Sequence, residues 1–293
     1  MNALLYKIMT PLANFCANHQ KLMLSLRYFK EYRKLPNIEH PKLFHEKLFY
    51  LACHTDTAMW TKLADKYLVR DYISSLCGEQ LLTKLYGVWD KAEDIDYSLL
   101  PNSFVIKANN GCASVILVRD KSKLDIDQAN QNLNYWLKLR FGDISGQTHY
   151  SSIQPKIIAE ELLVQDGDPN KMLVDYKISC FNGEPKFVSV FSNRTMYTHQ
   201  VNEMLYDMQW NAHPEWYDET NAHLREACSI ECPSCWEEMK RIAKTLSKGF
   251  KYCRVDLYVI KGRPIFGELT FTPGLNTYYS IDFQQHLGNL IEL

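Results

Sequence analysis

Lys107, Glu160, Glu161, Lys177, Arg254, Asp256 and Glu268 stand inside or at the end of apolar, β-branched runs of strand length. An ion in such a run is costly unless it meets a counter-charge or a ligand. In FVIKANNGCASVILVR (104–119), a lysine ending one apolar run is followed by Asn109, Asn110 and Gly111 and then by a second run. Flanks of that composition around Asn-Asn-Gly predict a hairpin. The same loop can cradle an anion, because a glycine-containing turn offers backbone N–H groups beside the ammonium. No G-x-x-x-x-G-K-[ST] or G-x-G-x-x-G pattern accompanies it, so the stretch reads either as a plain hairpin or as a phosphate loop.

In RVDLYVIKGRPIFGEL, Arg254 and Asp256 are two apart and share one face of a strand. Reversal at Lys261-Gly262 can bring Glu268 back beside Asp256. Two carboxylates on adjacent strands, without an equal number of cations, suit Mg2+. The alternative is a surface on which Arg254 neutralises Asp256. Lys177 sits in a third run, and Glu160 and Glu161 end a fourth.

The elements that must carry these groups follow from periodicity. To about residue 100 the pattern is helical, with FHEKLFYLAC and KLADKYLVRDYISSLCG repeating apolar residues at three and four. LYGVWD reads as a short strand. The 104–119 hairpin is followed by a helix in DIDQANQNLNYWLKLR and a strand in PKIIAEELL. VDYKISCFNGEPKFVSVFS predicts a hairpin around Asn182-Gly183. An irregular aromatic stretch (YDMQWNAHPEWYDE) precedes a helix in CWEEMKRIAKTLSKGF, ended by Gly249, and the final hairpin turns at Lys261-Gly262. This order is α+β with antiparallel sheets in separate lobes, not a βαβ array.

Composition bounds the function. With 293 residues, 46% of them hydrophobic, the chain can bury a sizeable core as one multi-lobed unit or two domains. Its 33 basic and 34 acidic residues leave a net charge of −1, so no global field recruits nucleic acid. Nine cysteines, an odd count, and no signal-peptide pattern predict reduced thiols and a cytoplasmic location. Cys228, Cys232 and Cys235 are spaced C-x3-C-x2-C. They are either three zinc thiolates, with His223 nearby, or incidental loop cysteines. No apolar stretch approaches the roughly 20 residues that span a bilayer. The amphipathic segment 1–34, basic toward its end, either packs on the chain or makes peripheral contact with an anionic membrane.

Taken in order, DKYLVRDYI, FVIKANNG, IIAEELL, DYKISCFNGEPKFV and RVDLY followed by FGELTFTPG resemble the ATP-grasp superfamily, and within it the TupA-like branch associated with teichuronopeptide and other cell-surface polysaccharide biosynthesis. The resemblance runs from about His45 to about Gly274. It implies two α+β lobes holding ATP between them, with a helical N-terminal region. The expected segments are 1–40 (N-terminal helices), 41–100 (helical lead-in), 101–160 (small lobe with the phosphate loop) and 161–293 (large lobe with the metal site). ATP and Mg2+ are the implied cofactors.

Carried over by position, Lys66 and Lys107, with Asn109, Asn110 and Gly111, are similar to the family's phosphate-binding residues. Glu160, Glu161 and Leu163 resemble its adenine-binding linker, and Asp256 and Glu268 its metal carboxylates. Arg254 resembles the arginine that steadies the transferred phosphoryl group, and Lys177 is implied to face phosphates or acceptor. The superfamily's Glu-x-Asn is here Glu268-Leu269-Thr270, so Thr270 offers a hydroxyl where the pattern has an amide carbonyl.

The activity implied is carboxylate–amine ligation through an acyl phosphate. Its partners would be a carboxylate-bearing sugar, a uronic acid free or nucleotide-linked, and an amine or amino acid. A glycosyltransferase would need a D-x-D metal motif. The candidates are Asp94-Ile95-Asp96, Asp125-Ile126-Asp127 and Asp166-Gly167-Asp168. A third reading is a nucleotide-binding scaffold without turnover. Tyr206, Trp210, Trp216 and Tyr217 either stack on sugar faces or pack as a hydrophobic cover.

Overall fold

A computed structural model describes residues 12–165, 167, 171–192, 202–218, 230–275 and 278–293. Contacts divide the chain into two compact units. Unit 1 comprises Met1–Lys30, Thr55–Tyr72 and Thr83–Leu162, and unit 2 comprises Glu31–His54, Ile73–Leu82 and Leu163–Leu293. Among the described residues no helix is long and apolar enough to cross a membrane.

Unit 1 is built on a four-stranded antiparallel sheet of order β1-β4-β2-β3, with β1 Leu85–Trp89, β2 Phe104–Ala108, β3 Val115–Val118 and β4 Ile157–Glu160. On one face Phe104, Ile106, Val118, Ile157 and Ala159 pack with Leu133 in one apolar cluster. Leu133 lies on helix α6 (Ile126–Leu137). Period-2 alternation therefore sends Val105, Lys107, Ile158 and Glu160 to the opposite face. Helices α1 (12–18) and α2 (Gln20–Tyr32) precede this sheet in sequence, and α7 (Phe141–Ser145) lies between β3 and β4.

The helical stretch KLADKYLVRDYISSLCG is not one helix. It divides into α4 (Ala58–Ala64) and α5 (Val69–Cys77), because the Asp65 carboxylate accepts the N–H groups of Tyr67 at 2.8 Å and Leu68 at 3.2 Å. A side chain that satisfies local backbone donors competes with the helix ladder. The break sets Lys66 in a turn.

Unit 2 is built on a five-stranded antiparallel sheet of order β7-β6-β5-β8-β9. Its strands are β5 Asp175–Phe181, β6 Glu184–Ser192, β7 Asn202–Asp207, β8 Tyr252–Ile260 and β9 Arg263–Thr270. Asn182-Gly183 (φ 51° and 79°) and Lys261-Gly262 (φ 51° and 75°) form the predicted hairpin turns, whose two central residues take positive φ. Strand β7 departs from the sequence reading, which leaves Tyr206 and Asp207 in an irregular stretch. NEMLYD is too short and weakly alternating to declare itself, and its identity comes from pairing with β6.

Helix α8 (Trp236–Leu246) packs on β5, β6 and β8, burying Trp236, Met239, Ile242, Ala243 and Leu246. The Cys180 thiol reaches the Ala243 carbonyl, which fixes the face of β5 that α8 covers. On the other face Phe181 and Tyr252 meet Phe44 of α3 (Phe44–His54). Helix α3 in turn packs against α9 (Ile281–Asn289), where a Cβ on Gly288 would lie 2.1 Å from the Lys42 carbonyl oxygen. Along that same face Phe181 and Tyr252 give way to Ser179, Lys177, Arg254 and Asp256.

Candidate functional site

In unit 1 the polar face of the sheet gathers two cations on one buried carboxylate. Val105 pairs with Glu160 across β2 and β4, so Lys107 is its diagonal neighbour on the same face. Lys107 Nζ lies 2.5 Å from Glu160 Oε2, and Arg70 Nη1 lies 3.0 Å from Glu160 Oε1. Arg70 also donates to the Thr83 carbonyl at 2.6 Å. The anion that Lys107 requires is thus met within the chain. Arg70 went unnoticed in sequence because its helical spacing is that of any exposed base. Its only signal is that it follows Lys66 by four residues, one helical turn.

The Asn-Asn-Gly loop is braced from several sides. Asn109 is buried, donates to Asp65 Oδ1 at 2.9 Å and to the Gln154 carbonyl at 3.0 Å, and accepts the Lys156 N–H at 2.7 Å. Its side chain therefore fixes the loop. Asn110 is buried and donates at 3.5 Å to the Trp136 carbonyl. Lys66 donates to the carbonyl of Gly111. A Cβ on Gly111 would come within 3.3 Å of Phe141. Among the described residues the N–H groups of Asn110, Gly111 and Ala113 find no backbone acceptor, and Ala113 takes a left-handed φ of 58°. Lys66 and the loop, 45 residues apart, are brought together. Glu161 follows β4, donates its N–H to the Lys84 carbonyl at 2.9 Å, and is exposed. Leu163 lies in irregular backbone and is half-buried.

In unit 2 Lys177, Asp256 and Glu268 form one row across β5, β8 and β9, and Arg254 and Thr270 are partners in the neighbouring row. The row is kinked by a bulge beside Gly267, where a Cβ would lie 3.0 Å from the Asp256 carbonyl. Arg254 donates Nε to Asp256 Oδ1 at 2.6 Å and Nη2 to Oδ2 at 2.7 Å. The same Nη2 reaches Glu268 Oε1 and Thr270 Oγ1, each at 3.1 Å, and Thr270 donates to Glu268 at 3.0 Å. Lys177 Nζ is 2.7 Å from Asp256 Oδ2 and 3.8 Å from Asp175.

The sequence reading counts fewer cations than carboxylates around Asp256 and Glu268; the structure corrects this, because Lys177 joins Arg254 across the strands. Asp175, which sequence reasoning did not single out, restores an acidic excess of one. Burial pushes the Asp256 carboxyl upward, but Arg254 and then Lys177 outweigh it and hold it below the ordinary carboxylate range. Burial likewise disfavours the Arg254 charge, and Asp256 and Glu268 reverse that.

The donor set also tests the metal reading. The Asp256 side chain is 3% exposed, with both oxygens engaged by cations, whereas that of Glu268 is 43% exposed. Among the described residues no group of three or more His, Cys, Asp or Glu could hold a metal. Two carboxylates with a hydroxyl alongside fit Mg2+, which takes one or two carboxylates and completes its octahedron with water and phosphate oxygens. They do not make an all-protein cage. Cys232 is exposed, Cys235 is buried, and Cys228 and His223 lie outside the described residues.

Several other candidates are engaged in structure. Asp125 caps α6 by accepting the Gln128 N–H at 2.9 Å, and Asp96 accepts the Ser98 N–H at 2.9 Å. Asp166 and Asp168 lie outside the described residues. Trp216 is stacked on one face by His213 (centroids 3.9 Å) and on another ring contact by Phe283 (4.3 Å). Tyr206 stacks on Trp210, and Tyr217 is buried. These contacts favour the packing alternative, with Tyr206 and Tyr217 buried and Trp210 and Trp216 half-buried.

The chain matches the family described as TupA-like ATPgrasp over residues 46–292. Similar solved structures include D-alanine–D-alanine ligase from Bacillus anthracis complexed with ATP, at 15% identity and TM-score 0.49, covering 78% of this chain and 65% of that one. The ADP complex of purK, N5-carboxyaminoimidazole ribonucleotide synthetase, is 13% identical with TM-score 0.47, covering 78% and 51%. The ATP-grasp ligase PsnB complexed with minimal precursor is 12% identical with TM-score 0.41, covering 83% and 65%. This chain therefore spans less than two thirds of the length of each. Among curated proteins it has no match. With the family matched from Glu46 to Glu292 and helices alongside two antiparallel sheets, the chain belongs to the TupA-like ATP-grasp family and has its α+β ATP-grasp fold.

Proposed function

We propose that this chain is an ATP-dependent carboxylate–amine ligase of cell-surface polysaccharide biosynthesis. It would join an amino acid or other amine to a uronic acid, free or nucleotide-linked, as an amide. Segments 101–160 and 161–293 would serve as its small and large lobes. The observation that carries the reading is the row Lys177–Asp256–Glu268 with Arg254 bound across it. A half-buried guanidinium held by two carboxylates and backed by a lysine ammonium is preorganised to meet the charge of a phosphoryl group in transfer.

Lys66 and Lys107, with the N–H groups of Asn110 and Gly111, would hold ATP phosphates. Glu160, Glu161 and Leu163 would receive adenine. Asp256 and Glu268 would hold Mg2+, with Thr270 beside them; when bound, the ion supplies neutralising charge on the phosphate oxygens. A substrate carboxylate oxygen attacks the γ-phosphorus and ADP leaves, giving an acyl phosphate. Arg254 neutralises the equatorial oxygens during this transfer, and Lys177 orients the phosphates or the acceptor. The amine nitrogen then attacks the acyl carbon, phosphate leaves with the carbonyl–oxygen bond pair, and the nitrogen releases a proton. Sugar transfer gains no support from the described candidates, since Asp96 caps a turn and Asp125 caps α6.

The test is a screen of uronic acids, nucleotide-linked uronic acids and amino acids for ADP and phosphate release. Release should require the carboxylate, and hydroxylamine should trap the acyl phosphate as a hydroxamate. Sugar transfer without ATP, with no carboxylate-dependent ADP across the screen, would overturn the assignment; nucleotide binding without either reaction would point to a scaffold.

A further inference from the structure

Helices α1 and α2 carry two apolar faces, and among the described residues only one of them is buried. Helices α1 and α2 are separated by His19 alone, whose N–H donates to the Cys16 carbonyl and whose carbonyl accepts the Met23 N–H. Ala13, Cys16, Leu24 and Tyr28 are buried. This face is pinned where Gln20 donates to the Gly146 carbonyl at 3.2 Å and to Thr148 Oγ1 at 3.0 Å, and where Arg27 donates to the Ser145 carbonyl at 3.0 Å. Gly146, at φ +71°, lets the helix approach: a Cβ there would be 3.0 Å from Leu24 Cγ.

The second face consists of Leu12, Phe15, Leu22, Leu26 and Phe29, each 43–51% exposed. His19 fills the one gap in the stripe and stacks on Phe15 with centroids 4.0 Å apart. The spacing from 12 to 29 alternates three and four residues and makes a single stripe roughly 27 Å long. Lys21 and Lys30, in the same unit, are exposed beside it. Segment 1–34 holds six of the chain's 33 basic residues but a single acidic one, Glu31. A nearly neutral protein thus concentrates positive charge where it also exposes its apolar stripe.

We propose that this face is a docking surface for an anionic lipid bilayer. The helix lies in the interface plane, with Phe15, Leu22, Leu26 and Phe29 at the acyl boundary and the flanking bases at the headgroups. Charge selects the lipid over a second copy of the chain. Two such helices pairing would set lysine and arginine against each other with only Glu31 to offset them, whereas anionic headgroups supply the counter-charge. The buried face already docks in unit 1, so lipid binding requires no loss of core.

The test is flotation of the full chain with phosphatidylcholine vesicles, alone or containing about 30% phosphatidylglycerol. Binding is expected only with the anionic lipid, and should fall in about 0.5 M NaCl. Leu22→Glu with Phe29→Glu should lower partitioning by at least about tenfold, and Lys21→Gln or Lys30→Gln by about fivefold each. Because these side chains are exposed, the variants should melt like the parent. Should the double variant misfold, Phe29→Trp gives an independent reading, with an emission blue shift on anionic vesicles alone. Absence of flotation, flotation equal on both vesicle types, or flotation indifferent to the variants overturns the proposal. So does a dimer in sedimentation that Leu22→Glu dissociates while vesicles fail to bind.

Discussion

Lys177 and Asp256 are direct cross-strand partners on β5 and β8, and the lysine ammonium lies 2.7 Å from Asp256 Oδ2. Arg254 occupies both oxygens of the same carboxylate. Asp256 is therefore the anchor of the polar row, whereas Glu268, at its open end, is the carboxylate that solvent reaches.

That difference separates two substitutions. Asp256→Asn leaves Arg254 and Lys177 poorly compensated in a buried setting, and should destabilise unit 2 by about 3–5 kcal/mol. Glu268→Gln should cost under about 1 kcal/mol, since the carboxylate is partly exposed. Both should abolish turnover more than they weaken nucleotide binding, because the charge they manage grows in the transition state. Thr270→Ala should matter less than either. Denaturant melts set beside ADP release check this; near-native turnover in Glu268→Gln would move the metal site elsewhere.

For unit 1, ATP with Mg2+ should raise the melting temperature, by an amount corresponding to about 2.7 kcal/mol at a hundredfold excess over Kd. Lys107→Ala should remove most of that shift. It should leave the apo protein folded, because Glu160 keeps Arg70 as partner. Differential scanning fluorimetry measures both, and an unchanged curve in saturating ATP-Mg2+ would contradict the phosphate role of the loop.

The acid limb of stability should carry the signature of His149, buried in unit 1 with its ring edge-on to Trp60. Burial, aided by the Arg27 charge, pushes its pKa from 6.5 down to about 3. Between those values the unfolded chain binds a proton that the folded chain does not. The contribution of neutral His149 is thus complete above pH 6.5 and declines as pH falls toward about 3, by up to ~1.4 kcal/mol per pH unit. His149→Gln should flatten the decline in urea melts taken from about pH 7 to pH 4.5. A slope identical to that of the parent would refute the assignment.

Purified protein should carry substoichiometric zinc by elemental analysis. Cys232 is exposed and Cys235 is buried as the N-cap residue of α8, and partial loss of solvent around each sulfur raises both thiols above their ordinary range. Thiols so placed are poorly prepared to bind as thiolates. One full equivalent, lost on Cys232→Ser, would establish a metal loop.

The sequence by itself determined what short-range chemistry controls. Alternation in FVIKA and RVDLY put Lys107, Arg254 and Asp256 on polar strand faces, and Asn182-Gly183 and Lys261-Gly262 set their hairpins, since only certain residues accept two positive φ angles in succession. The register running out from the Lys261-Gly262 turn would set Gly267 opposite Asp256, and only the bulge between Asp256 and Leu257 in the folded sheet brings Glu268 there. Tertiary structure decided which charges meet. Arg70 reaches Glu160 across 90 residues, and Lys177 reaches Asp256 across 79. Asn109 is locked by Asp65 and the 154–156 backbone instead of being presented to a ligand. Strand β7 exists through its pairing with β6, and Trp216 through the rings of His213 and Phe283. A turn or an alternation is dictated by the few residues that make it. An ion pair between distant strands is dictated by sheet order and burial, which belong to the folded chain.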